Sequence, residues 1–134
     1  MKKRVVITGL GVVSAVGNSL SEFWNSLIEG RDGTKEITAF DPSAYRTKIA
    51  AEVSGLDMEA HFSKKEMRRL SRCDQFGLIA FREAWKSTRL DQDQNSLDKE
   101  RVGVVLGAGS GVRSKWRFST YFLRDMARND KTAL

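Results

Sequence analysis

Arg4-Val-Val-Ile-Thr-Gly-Leu-Gly-Val-Val-Ser-Ala-Val-Gly-Asn18 lies near the start of the chain and decides how the rest is read. After Arg4, Val5 to Thr8 are β-branched and continuous rather than alternating, the pattern of a strand buried on both faces. Gly9 to Gly17 then reads as a glycine-punctuated turn. Immediately beyond it, Ser19-Leu-Ser-Glu22 has the spacing of a capping box, in which hydroxyl and carboxylate each take an orphan backbone N–H. Leu20, Phe23, Trp24, Leu27 and Ile28 follow at helical spacing and predict an amphipathic helix with one buried face, which Gly30 stops.

Working outward, residues 31–47 read as loop with a turn at Asp41-Pro42, and residues 48–53 as a short strand. Ser63-Lys-Lys-Glu66 is a second capping box, opening a basic helix. A longer helix is expected from residue 74 to about residue 89, with Phe76, Ile79, Ala80, Ala84 and Trp85 on its inner side. The polar residues 91–100 lead to a second buried strand at 101–106, the glycine turn Gly107-Ala-Gly-Ser-Gly111, and a helix over 115–128. Strands alternating with helices predict an α/β architecture on a largely parallel sheet. Two clear strands are fewer than such a sheet needs, which suggests an incomplete domain.

The chain has 134 residues, 40% of them apolar and 30% charged, a balance that suits a soluble globular protein rather than a disordered one. No apolar run reaches the roughly 18 residues that would span a bilayer. The basic start Met-Lys-Lys-Arg is followed by an apolar run that Thr8 and Gly9 interrupt, too early for a secretory signal, so a cytoplasmic protein is expected. The single cysteine, Cys73, leaves no internal disulfide, and with the single histidine, His61, it makes no familiar metal or nucleophile pair. The net charge of +6 points instead to an acidic partner.

The glycine turns invite a nucleotide-binding reading, which the details disfavour. Gly9-Leu-Gly11 follows a strand pattern, but the sixth position of the dinucleotide fingerprint is Ser14, and neither turn has the Gly-Lys-Ser/Thr of a phosphate loop. The basic cluster is sharper: Lys64, Lys65, Arg68, Arg69 and Arg72 face only Glu66, at spacings that put them on neighbouring faces of one helix. A solvated surface helix and a docking patch for an anion both fit that cluster. A second basic stretch, residues 113–131, interleaves Trp116, Phe118, Tyr121 and Phe122. Stacking on nucleic-acid bases is one reading of it, and aromatics packed inward is the preferred one.

The quoted opening stretch closely resembles the N-terminal strand and turn of beta-ketoacyl-acyl-carrier-protein synthases, the type II elongating enzymes in particular, except that the family usually has proline where this chain has Ala15. The likeness continues through Phe23-Trp24 to Gly30, Ile37-Thr-Ala-Phe-Asp41, Lys48-Ile-Ala-Ala-Glu-Val53, Lys64-Lys-Glu-Met-Arg-Arg-Leu70 with Gln75-Phe-Gly-Leu, and Arg101 to Gly111; beyond Gly111 it is loose.

The resemblance implies a thiolase-like layered αβαβα fold, here its N-terminal part only, and a homodimer in the full-length protein. It implies decarboxylative Claisen condensation of acyl and malonyl thioesters by a cysteine and two histidines. Neither Cys73 nor His61 matches those positions, so the 134 residues are expected to be a partial domain, truncated before the catalytic cysteine and inactive alone, with no catalytic residue, metal site or cofactor. By the same match Lys65, Arg68 and Arg69 would dock acyl carrier protein, and Ser110 would stand near the acyl pocket where the family has an apolar residue. No nucleic-acid or membrane partner is expected. The alternatives are a catalytically silent chain-length factor and a small basic nucleic-acid-binding module. Half of such a sheet would also leave apolar faces uncovered, so the isolated chain is expected to associate or to fold poorly.

Overall fold

A computed structural model describes residues 4–88, 90, 101–105 and 107. Its elements are α1 (Leu20–Ile28), β1 (Lys35–Glu36), β2 (Ile49–Ala50), α2 (Met58–His61), α3 (Lys64–Met67) and α4 (Arg72–Thr88). The sheet is a two-stranded antiparallel ladder pairing Lys35 with Ala50 and Glu36 with Ile49. It is lengthened by one bond from the Ile37 N–H to the Lys48 carbonyl, at 2.9 Å.

The helix starts are local chemistry. Ser19 Oγ accepts the Glu22 N–H at 3.3 Å, as the capping box predicts, but the Glu22 carboxylate reaches past Ser19 to the Asn18 N–H at 2.8 Å. The C-terminus of α1 closes with two bonds, from the Arg31 N–H to the Ser26 carbonyl and from the Gly30 N–H to the Leu27 carbonyl. That pairing requires a left-handed residue, and Gly30 supplies it with φ 65°. Residues 41–45 turn as expected: Asp41 Oδ1 accepts the Ser43 N–H at 3.0 Å and the Tyr45 N–H donates to the Pro42 carbonyl.

Three expectations are corrected. Residues 4–8 and 101–105 form no strand among the described residues, and their apolar side chains other than the half-buried Val102 are exposed, Val5 at 96% and Val105 at 101%. A doubly buried strand needs a neighbour on each edge and a layer on each face, and the described residues provide neither. The apolar stripe of α1 is also uncovered: Trp24, Leu27 and Ile28 are exposed, while Ser26 is the buried residue, donating its hydroxyl to the Val16 carbonyl at 2.6 Å. Finally, α4 begins two residues earlier than expected, because Ser71 and Asp74 form a box of their own. Asp74 Oδ2 accepts the Ser71 N–H at 3.0 Å and Ser71 Oγ accepts the Asp74 N–H at 3.2 Å.

The core is small. Leu78, with no exposed surface, and Ile79 come from α4; Phe62 and Leu70 come from the segments before it. Val13, Leu56, Met58, Met67 and Phe81 pack around them. The N-terminal segment crosses α4 at a glycine pair. A Cβ on Gly11 would fall onto the Ala80 carbonyl and within 2.8 Å of the Ala84 N, and one on Gly9 would meet Ser87 Oγ at 2.6 Å. These glycines therefore permit backbone-to-helix contact rather than phosphate binding. The crossing is tied by Glu83 of α4, whose Oε2 accepts the Val12 N–H at 2.9 Å and whose Oε1 accepts the Leu20 N–H at 2.7 Å. Among the described residues no helix is long and apolar enough to cross a membrane.

Two bonds from backbone N–H groups to one carboxylate carry about 3 kcal/mol together. Glu83→Ala is therefore expected to lower the unfolding free energy by about that amount in urea denaturation. Glu83→Gln should lose less, because its amide oxygen still serves one N–H. An unchanged midpoint for Glu83→Ala would contradict the tie.

Candidate functional site

The basic cluster is built by α3 and the turn that follows it. Ser63 Oγ accepts the Glu66 N–H at 3.3 Å, and Glu66 Oε2 accepts the Ser63 N–H at 2.9 Å, the full reciprocal box predicted from the sequence. Glu66 also places a negative charge in a first turn that otherwise begins with two lysines, where cations are unfavourable. After one turn the chain leaves the helix. The Arg69 and Leu70 N–H groups both donate to the Glu66 carbonyl at 2.9 Å. Met67 and Leu70 face the core, with Leu70 buried, so Lys64, Lys65, Arg68 and Arg69 are turned to solvent. Lys65 in α3, Arg68 at its C-cap and Arg69 just beyond it are all exposed.

Arg72 does not belong to that surface. The cluster was expected on one continuous helix, but the helix ends at Met67 and restarts at Arg72. The break follows from Leu70 dropping into the core and from the second capping box at Ser71 and Asp74. The Arg72 guanidinium donates to the Val53 carbonyl at 3.2 Å and lies 5.1 Å over the Phe76 ring, which makes it a structural strap. Arg82 acts alike, donating to the His61 carbonyl at 2.9 Å and stacking 4.9 Å over Phe62. By contrast, Lys64, Lys65 and Arg68 have no side-chain partner among the described residues.

The remaining candidates separate cleanly. Cys73 is exposed in the first turn of α4 rather than before it, and His61 ends α2, also exposed. Ser110, the 113–131 basic stretch and the helix expected at 115–128 lie outside the described residues. Glu83 and Gln75 carry much of the geometry, yet neither stood out in the sequence as a structural tie. The partners of Glu83 lie 63 and 71 positions away, beyond any local signal. The Ser71-Arg-Cys-Asp74 box was legible in principle, being the same signature with Asp in place of Glu.

The family model described as the N-terminal domain of beta-ketoacyl synthase matches residues 2–132. The 3-oxoacyl-[acyl-carrier-protein] synthase 2 of Coxiella burnetii is 44% identical over 110 residues, which are 82% of this chain and 26% of that protein. Its namesake from Staphylococcus aureus (strain COL) is 40% identical over 109 residues, covering 81% of this chain and 26% of that protein. An actinorhodin polyketide beta-ketoacyl synthase of Streptomyces coelicolor is 39% identical over 129 residues, 96% of this chain and 27% of the relative. The chain thus spans about a quarter of the length of these relatives. Among solved structures, the ishigamide ketosynthase/chain length factor superposes with a TM-score of 0.59 at 30% identity, over 66% of this chain and 22% of that one.

One carboxylate near the strap titrates with a clear direction. Glu52 accepts the Thr38 hydroxyl at 2.7 Å, the Thr38 N–H at 3.0 Å and the Ala39 N–H at 3.2 Å. These bonds, the Thr38 hydroxyl's first, hold its pKa below the ordinary 4.5, and Arg72 assists. A depressed folded pKa gives stability that is fully present above the unfolded value and lost as pH falls through the folded one. Amide exchange at Thr38 and Ala39 should therefore stay slow above pH 4.5 and lose relative protection below it. In Glu52→Gln that acid-side loss should vanish. Persistence of the same transition in the variant would assign it to another group.

Proposed function

Because the chain belongs to the beta-ketoacyl synthase family, we propose that it is the part of a 3-oxoacyl-acyl-carrier-protein synthase that presents the carrier-protein docking surface. The complete protein would perform decarboxylative condensation of acyl and malonyl thioesters in fatty-acid or polyketide synthesis, as a cytoplasmic homodimer with the layered αβαβα fold. The observation that carries the docking role is the exposure of Lys65, Arg68 and Arg69 together on one capped turn with their apolar neighbours turned inward. A compact cationic turn of this kind suits the acidic helices of a carrier protein and accelerates encounter through long-range attraction.

Catalysis is assigned elsewhere. Covalent transfer needs a cysteine nucleophile, and stabilising the enolate needs donors beside it. This sequence has one cysteine and one histidine, both exposed and neither in the family's catalytic context, which supports the reading that the 134 residues alone do not condense. The likeness to a structure titled ketosynthase/chain length factor supports a second reading, a catalytically silent subunit that pairs with an active synthase. With Ser110 at the acyl-pocket position, the acyl pocket of the complete enzyme would differ from the family's.

Titration against acyl carrier protein and against random-sequence DNA tests the docking role. The carrier should bind in a salt-sensitive manner, and Arg68→Glu combined with Arg69→Glu should weaken it by about tenfold or more at low salt with little change in melting temperature. Tight DNA binding with no carrier binding at low salt would overturn the proposal in favour of a nucleic-acid module.

A further inference from the structure

Arg68 and Arg69 stand on a turn between two helices, and such a turn keeps one geometry only if its backbone groups are tied. The last carbonyls of a helix lack intrahelical donors, and α3, with four residues, has few to begin with. One donor from the next helix meets the Met67 carbonyl at the end of α3 and the Leu70 carbonyl in the turn beyond it. Gln75, half-buried in the first turns of α4, directs its Nε2 to the Met67 carbonyl at 3.3 Å and to the Leu70 carbonyl at 3.3 Å. Met67 and Leu70 are the residues immediately before and after the Arg68-Arg69 pair.

We infer that Gln75 is a positioning residue for the docking turn, acting through the two carbonyls that bracket Arg68 and Arg69. This rests on the docking role proposed above. The side chain never needs to touch the carrier protein. It keeps the turn in the single arrangement that leaves Arg68 and Arg69 exposed, while Leu70 anchors the turn to the core and the Glu66 carbonyl gathers the Arg69 and Leu70 N–H groups. A partner that binds only this arrangement sees an apparent affinity scaled by the fraction of molecules in it. Removing a tie worth about one hydrogen bond should reduce that affinity about three- to tenfold.

Gln75→Met keeps the length, bulk and neutrality of the side chain and removes both donors. Carrier-protein binding to the variant should weaken about three- to tenfold at every ionic strength, with the salt slope of the parent, because no cation is lost. In Arg68→Ala the slope itself should fall. Amide exchange should quicken at Arg69 and Leu70 while the α4 amides around Leu78 keep their protection, a pattern that a general packing defect would not give. Unchanged affinity in Gln75→Met, alongside a clear loss in the Arg68→Glu/Arg69→Glu protein, overturns the Gln75 role alone. Fast exchange throughout α4 in Gln75→Met overturns it too, by making the residue a global support. If charge reversal also leaves binding intact, the docking role and this inference fall together.

Discussion

The fold hangs on one carboxylate. Glu83 holds the Val12 N–H with one oxygen and the Leu20 N–H with the other, so α4 fixes both the N-terminal crossing and the first residue of α1. The geometry works only because Gly9 and Gly11 let the crossing segment lie directly against the helix backbone. Any side chain there would lift the segment away and pull the carboxylate off one of its donors. Gly17 makes the third close approach, against the start of α1, where a Cβ would come within 2.8 Å of the Glu22 carbonyl carbon. What looks like a phosphate-binding glycine run is thus a packing device whose partner is a helix.

The same helix organises the surface chemistry at its other end. Five cations lie within residues 64–72, and unscreened repulsion among them would disfavour a compact turn. Two features reduce it. Carboxylates sit in the first turn of each helix, Glu66 in α3 and Asp74 in α4, each locked by a serine hydroxyl. Arg72, though exposed, is tied to the Val53 carbonyl and lies over the Phe76 ring. Lys64, Lys65, Arg68 and Arg69 are exposed residues of one short segment. Packing thus sorts one cation from the others, although their spacing in sequence is uniform enough to suggest a single face.

The features visible in the sequence were those whose partners are close in sequence. The Ser63–Glu66 box, the Ser19 cap, the Gly30 stop and the Asp41-Pro42 turn involve residues within a few positions, and all appear. The strand pattern of residues 4–8 is equally plain, but a strand is made by its neighbours, and hydrophobic pattern says nothing of whether they are present. The apolar stripe of α1 misled for the same reason: Trp24, Leu27 and Ile28 mark a face that would be covered, not what covers it. The cations Lys65, Arg68 and Arg69 of the proposed site are plain in the sequence, whereas the break at Met67, the tie of Arg72 to Val53 and the Gln75 bonds depend on where Leu70 and α4 settle.

The central claim is that residues 64–69 form the surface on which an acidic carrier protein lands. A photoreactive amino acid placed at Arg68, and separately at the exposed Trp24 of α1, tests it most directly when each protein is irradiated with acyl carrier protein. Position 68 should give a carrier adduct that added salt suppresses, and position 24 none. An adduct from position 24 without one from position 68 would contradict it.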